Sequence, residues 1–200
     1  MTTPAGESLA PSFFNAIYAD DPDPWSFATS EYENTKYAVT LAALPRAHYA
    51  SALEIGCSIG VLTEQLAARC DRLLSLDVAE RALAQARERC AHRPGVTFER
   101  MQVPEAFPAG HFDLVVVSEV GYYWSMADLR RARDLIVEHL TPGGQVILVH
   151  FTVEVETYPI SGDAVHEAFF ERSDDQGDGT LRHLQGLREP RYRLDLFERC

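Results

Sequence analysis

"LEIGCSIG", residues 53–60, decides the fold. Leu53 to Ile55 read as a short buried strand that runs directly into a turn with glycines at 56 and 60. Glycine permits the sharp backbone turn that such a crossing needs. The dinucleotide fingerprint asks for glycine at three places, spaced G-x-G-x-x-G. Counted from Gly56, those places hold Gly56, Ser58 and Val61, so two of the three fail.

Outward from this turn the chain alternates. A helix is expected from Gly60 to Cys70, then a strand at "LLSLD" (73–77), a helix at 79–90 and a strand at "VTFER" (96–100). "FDLVVVSE" (112–119) has the continuous apolar run of a strand covered on both faces. Leu129, Ala132, Ile136 and Leu140 share one helical face, "TPGG" (141–144) reads as a tight turn, and "QVILVHF" (145–151) is a fifth strand. Strands alternating with helices build a parallel sheet with helices on both faces. A helix at "VHEAFFER" (165–172) and two strands over 180–199, joined around 187–190, add an antiparallel hairpin and make the sheet mixed. Upstream, residues 13–19 and 29–44 are expected to be helical. Thr29 or Ser30 would cap the second, and Pro45 would end it.

Two hundred residues hold one well-cored domain. The net charge of −12 repels phosphate backbones, which argues against a nucleic-acid partner. The cysteines, at 57, 70, 90 and 200, lack ligand-like spacing, so no metal site and no disulfide framework is expected. "MTTPAGESLAPS" at the start carries no signal-like pattern, and no apolar run reaches membrane-span length, so the expected compartment is the cytoplasm, with no membrane partner.

A second template fits the turn better. Acid-x-Gly-x-Gly-x-Gly is met by Glu54, Gly56, Ser58 and Gly60, with Ser58 as the one departure. This resembles the first motif of class I methyltransferases, which bind S-adenosylmethionine (SAM) and release S-adenosylhomocysteine (SAH). The resemblance implies a Rossmann-like α/β fold with a seven-stranded mixed sheet and a C-terminal hairpin. Asp77 ends the second strand, where a carboxylate can accept from both ribose hydroxyls, although it can also cap the helix that follows. After the third strand, Met101-Gln102-Val103 stands where the family has a Gly-Asp-Ala pattern. Gln102 and the Val103 amide are expected at the adenine. Cys57, Val78 and Ser118 complete the expected cofactor contacts in the core.

The N-terminal half resembles a narrower group. "DPDPWSFATSEYENTKYAVTLAALP", then "ALEIGCSIGVLTEQLA" and "SEVGYYW", are similar to the nodulation protein S (NodS) family. The resemblance implies N-methylation of a deacetylated chitooligosaccharide amine, and it spans roughly residues 20–150. It divides a single domain, 1–200, into an N-terminal helical lid (1–46), a SAM-binding core (47–151) and a C-terminal helix and hairpin on the acceptor side (152–200). Trp25 and Tyr32 offer flat faces to cover the cofactor, and Lys36 can meet the SAM carboxylate or stay solvated.

Methyl transfer from a sulfonium needs water excluded and a nucleophile aligned. Glu119, just past the fourth strand, can hold an amine. Tyr122, Tyr123 and Trp124 can wall a sugar-sized pocket or start the next helix packed inward. His150, ending the fifth strand, is a candidate general base or a structural histidine. Asp163 and His166 are candidate acceptor contacts, with Asp163 also placed to cap a helix. "DDQGDG" (174–179) fails the EF-hand pattern and reads as a mobile loop. The expected activity is methylation of an amino sugar or other small amine. Rivals are O-methylation of a small hydroxylated metabolite, a nicotinamide-dependent oxidoreductase and a non-catalytic subunit.

Overall fold

The structure, a computed structural model, describes residues 6–200. The expected lid over 1–46 and the "MTTPAGESLAPS" stretch therefore begin outside the described residues. Helix α1 (Pro11–Asp20) opens on a proline, whose fixed φ suits a first helical position. Helix α2 (Glu31–Ala43) follows. Ser30 is its cap, with a side-chain oxygen that accepts from the Glu33 amide at 3.3 Å.

Strands β1 (Ala52–Ile55), β2 (Leu73–Asp77) and β3 (Val96–Arg100) alternate with helices α3 (Val61–Leu66) and α4 (Glu80–Arg89). A 3-10 turn over Ala67–Arg69 extends α3. Strand β4 (Phe112–Ser118) leads through a second 3-10 turn, Gly121–Tyr123, into helix α5 (Met126–His139). Strand β5 (Leu140–Phe151), helix α6 (Gly162–Phe170) and strands β6 (Leu181–Arg188) and β7 (Tyr192–Arg199) complete the chain. The seven strands form one mixed sheet in the order β3-β2-β1-β4-β5-β7-β6. The expected hairpin is there, with β7 antiparallel to both β5 and β6.

Two compact units divide the chain: Ala10–Gln102, and the described residues up to Leu9 together with Val103–Cys200. In the first, β2 pairs in parallel with β1 and with β3. Its core holds Leu53, Leu66, Leu76 and Leu83, each at most 1% exposed. In the second, β4 pairs in parallel with β5. Leu114, Leu129, Ile147 and Phe197 are fully buried there.

Two local expectations change. "TPGG" is not a turn before the strand but lies within β5, which pairs Phe112 with Leu140 and then slips to pair Leu114 with Gln145. Gly143, at φ 72°, takes up the extra length as an irregularity in the ladder. Asp163 is not the cap of α6. Ser161 is, accepting from the Ala164 amide at 3.2 Å, and the helix starts three residues before the expected position. Among the described residues no helix is long and apolar enough to cross a membrane, and no group of three or more His, Cys, Asp or Glu could hold a metal.

Candidate active site

Ligands in open parallel sheets bind beyond the carboxyl ends of the strands. At the end of β1 the backbone turns through left-handed conformations at Gly56 (φ 81°), Ser58 (φ 51°) and Gly60 (φ 79°). Ser58 stands in that region without being glycine, a strain of about 1 kcal/mol that surrounding contacts must hold. Two hydrogen bonds hold it. Its amide donates to Asp77 Oδ2 at 2.8 Å, and its hydroxyl pairs with the Tyr18 hydroxyl of α1 at 2.5 Å. Gly60 is demanded by packing as well, because a Cβ there would sit 2.9 Å from the Ala86 methyl of α4.

Asp77 is half-buried at the end of β2, and its Oδ1 accepts from the Ala79 amide at 2.9 Å. Burial pushes its carboxyl above the usual carboxylate range, and the amides of Ala79, Ser58 and Val78 oppose that shift. Those amides fix the carboxylate without exhausting a group that has about four acceptor sites. The helix-side contact and a contact to ribose hydroxyls are therefore compatible. A left-handed turn beside a fixed carboxylate fits the amino-acid and ribose parts of SAM.

Other expected cofactor residues divide by burial. Glu54 is 2% exposed and turned into the protein, with Oε2 accepting from the hydroxyls of Thr63 at 2.6 Å and Ser75 at 2.8 Å. This corrects its expected place at the cofactor: it braces the turn from beneath. Burial raises its pKa to about 7, against the hydroxyl bonds that lower it. The Cys57 thiol is buried and pushed well above its ordinary value by desolvation, so this residue offers backbone and not side chain. Lys36 is 2% exposed. Its ammonium lies 2.9 Å from Glu33 and 5.1 Å from the Tyr32 ring centroid, so it is not solvated. Trp25 and Tyr32 are half-buried, and Trp25 stacks on Phe27 at 5.5 Å and meets Tyr18 edge-on at 5.7 Å. Val78 and Gln102 are half-buried, just past β2 and β3, while Val103 and Ser118 are buried.

The end of β4 carries a second constellation. Glu119 is another left-handed non-glycine, at φ 57°. Its Oε2 accepts from the Tyr122 hydroxyl at 2.7 Å and the Phe151 amide at 2.9 Å. Tyr122 stacks on Tyr158 with ring centroids 4.8 Å apart, and Tyr123 meets Tyr158 edge-on at 4.9 Å. Desolvation raises the phenols of Tyr122 and Tyr123 well above their ordinary value, so both stay neutral donors. Trp124 is buried, as is Tyr122, while Tyr158 keeps partial exposure. The Leu9 amide donates to the Tyr123 carbonyl at 2.8 Å and ties residues 6–9 to this turn.

His150 does not stand as a general base. It is 0% exposed, and its Nε2 accepts from the Gly121 amide at 3.1 Å, so the lone pair a base would use is already bound. His166 is equally buried, with Nε2 3.2 Å from His150 Nδ1 and Nδ1 2.7 Å from Asp195 Oδ2, and so is not an open acceptor contact. Asp163 pairs with Arg188 at 2.5 and 2.8 Å, and that guanidinium holds its carboxyl below the usual range. Tyr158 and Asp195 were not singled out from the sequence. An aromatic directly before Pro159 in a connecting segment was the available signal for the first, and a lone acid in the apolar run of β7 for the second.

A family model for nodulation protein S (NodS) matches residues 16–156. The chain belongs to the NodS family. Nodulation protein S of Rhizobium tropici is 30% identical over 171 residues, covering 72% of each chain. That of Bradyrhizobium diazoefficiens is 35% identical over 127 residues, covering 62% of this chain and 61% of its own length. The crystal structure of N-methyltransferase NodS from Bradyrhizobium japonicum WM9 with SAH superposes with a TM-score of 0.81 at 26% identity, covering 94% of this chain and 97% of that one. This NodS-type chain is a SAM-dependent methyltransferase, and its cofactor is SAM. The NodS match covers α2, the turn after β1, and strand β4 with Glu119 just beyond it.

Proposed function

We propose that this protein transfers a methyl group from SAM to the nitrogen of a small amine, most specifically the amino group of an amino sugar. One observation carries the acceptor class: a carboxylate held by two donors, Glu119, beside the Tyr122–Tyr123–Tyr158 cluster. A fixed carboxylate favours a cationic ammonium over a neutral hydroxyl. Aromatic faces favour the apolar face of a sugar ring. The Bradyrhizobium japonicum relative, an N-methyltransferase, supports the choice of nitrogen.

SAM supplies the activated methyl group. Asp77, with the Gly56–Gly60 turn and Gln102, would hold the cofactor, and Trp25 and Tyr32 would exclude water from it. Glu119 would bind and orient the ammonium and accept its proton as the neutral amine forms. The tyrosines would seat the rest of the acceptor. Oxygen transfer needs a stronger base, and the capped Nε2 of His150 does not provide one.

The test is a matched acceptor panel with labelled SAM: free amino sugars, their N-acetylated forms and hydroxylated metabolites. Transfer to the free amines alone is expected. Transfer to hydroxyls and not to amines would reject the nitrogen reading.

A further inference from the structure

Three side chains that take no part in the proposed chemistry form a directed chain behind it. Their proton positions follow from one fact. A backbone N–H can only donate, so the Gly121 amide 3.1 Å from His150 Nε2 requires that nitrogen to be bare. The proton of neutral His150 then sits on Nδ1 and is donated to His166 Nε2 at 3.2 Å. His166 in turn carries its proton on Nδ1 and donates it to Asp195 Oδ2 at 2.7 Å. Each tautomer is assigned by this network of partners. Asp195 is kept ionised against its burial by the hydrogen bond that His166 donates and by the charge of Arg193, whose Nε lies at 2.6 Å. His183 Nε2, at 2.8 Å, engages its other oxygen. Burial drives the His166 imidazole below the ordinary histidine range, in keeping with a neutral ring.

The chain ends where the acceptor is expected. Gly121 is the first residue of the turn that carries Tyr122 and Tyr123, two residues after Glu119. It must be glycine for the histidine to approach. A Cβ there would lie 2.9 Å from His150 Nε2 and 2.5 Å from a Val165 methyl. We propose that His166 and Asp195 are positioning residues, which lock the His150 tautomer and so fix the turn that sets Glu119 and Tyr122 for the acceptor. This role rests on the acceptor side proposed for the amine. The free imidazole prefers its proton on Nε2, so two adjacent rings both held in the Nδ1–H form is a state the protein must impose. Were His150 to take the Nε2–H form, two donors would face each other at Gly121, and the turn would have to move. Displacements of about 1 Å near a reacting group can cost about a hundredfold in rate.

Nitrogen-15 NMR of the SAH-bound full chain reads the tautomers directly. Nδ1–H signals for both His150 and His166 are expected, and an Nε2–H form of His150 would overturn the proposal. His166→Phe removes the acceptor of the His150 proton. Its expected signature is a switch of His150 to Nε2–H, a fall of about tenfold or more in kcat/KM for the acceptor, and SAM affinity within about twofold of the parent. An acceptor kcat/KM within about twofold of the parent would overturn the positioning role. Should that variant fail to fold, the tautomers of the unaltered protein still decide the lock. The NMR measurement needs no acceptor. A protein that methylates only hydroxyls would reject the amine reading while leaving the tautomer result to stand or fall by itself.

Discussion

The proposed reaction gives Asp77 and Glu119 different tasks, and single substitutions should separate them. Asp77→Ala removes the carboxylate at the end of β2 together with the anchor of the Ser58 amide. SAM affinity by calorimetry should fall about tenfold or more, since hydrogen bonds to a charged group are each worth roughly 1.5–3 kcal/mol. Unchanged affinity would remove Asp77 from the ribose. Glu119→Gln keeps the size and an acceptor for Tyr122 and Phe151 but loses the charge. It should lower acceptor kcat/KM by about tenfold to a hundredfold with SAM affinity preserved. A parallel loss of cofactor binding would mean that Glu119 serves the fold and not the amine.

At the scale of elements, the approach of α4 to the end of β1 is the tightest constraint near the cofactor turn. Gly60→Ala would force a methyl against Ala86 at 2.9 Å and a side chain into φ 79°. A loss of about 1–3 kcal/mol in urea unfolding is expected, and a neutral result would mean that the turn and helix relax independently. The sequence made this turn legible because glycine spacing and the strand ahead of it are local signals. The place of Asp77 at the end of β2 and the C-terminal hairpin were legible for the same reason, an apolar run closed by a charge or a turn. The start of β5 was not. Pro142, Gly143 and Gly144 are ordinary turn residues, and only pairing with β4 shows that they bulge within a strand. The His150–His166–Asp195 chain was illegible as a chain. Its members lie 16 and 29 residues apart on β5, α6 and β7, and neither histidine shows in sequence that it is sealed from solvent. Lys36, open in sequence between the SAM carboxylate and solvent, likewise gave no sign that Glu33 and Tyr32, one turn back, enclose it.

For the molecule as a whole, the buried Glu54 links stability to pH. Its folded pKa of about 7 lies above that of an unfolded glutamate. The folded state therefore binds more protons between the two values. The stabilisation is complete below about pH 4 and is lost as pH rises through about 7, by roughly 3 kcal/mol in all. The raised carboxyl of Asp77 acts in the same direction. Glu54→Gln, neutral at every pH and able to accept from Thr63 and Ser75, should flatten that slope and be more stable than the parent above pH 7 in urea titrations. Equal slopes for the two proteins would place the charge of Glu54 elsewhere.

The proposed activity gathers these scales into one event, the arrival of a methyl group on nitrogen. The most direct measurement is NMR of the product formed from SAM carrying a carbon-13 methyl and a free amino sugar. A signal at the N-methyl position, absent when the amine is acetylated, is the expected result. A signal at an O-methyl position, or transfer that survives acetylation, would contradict the assignment of Glu119 and its tyrosines to an amine.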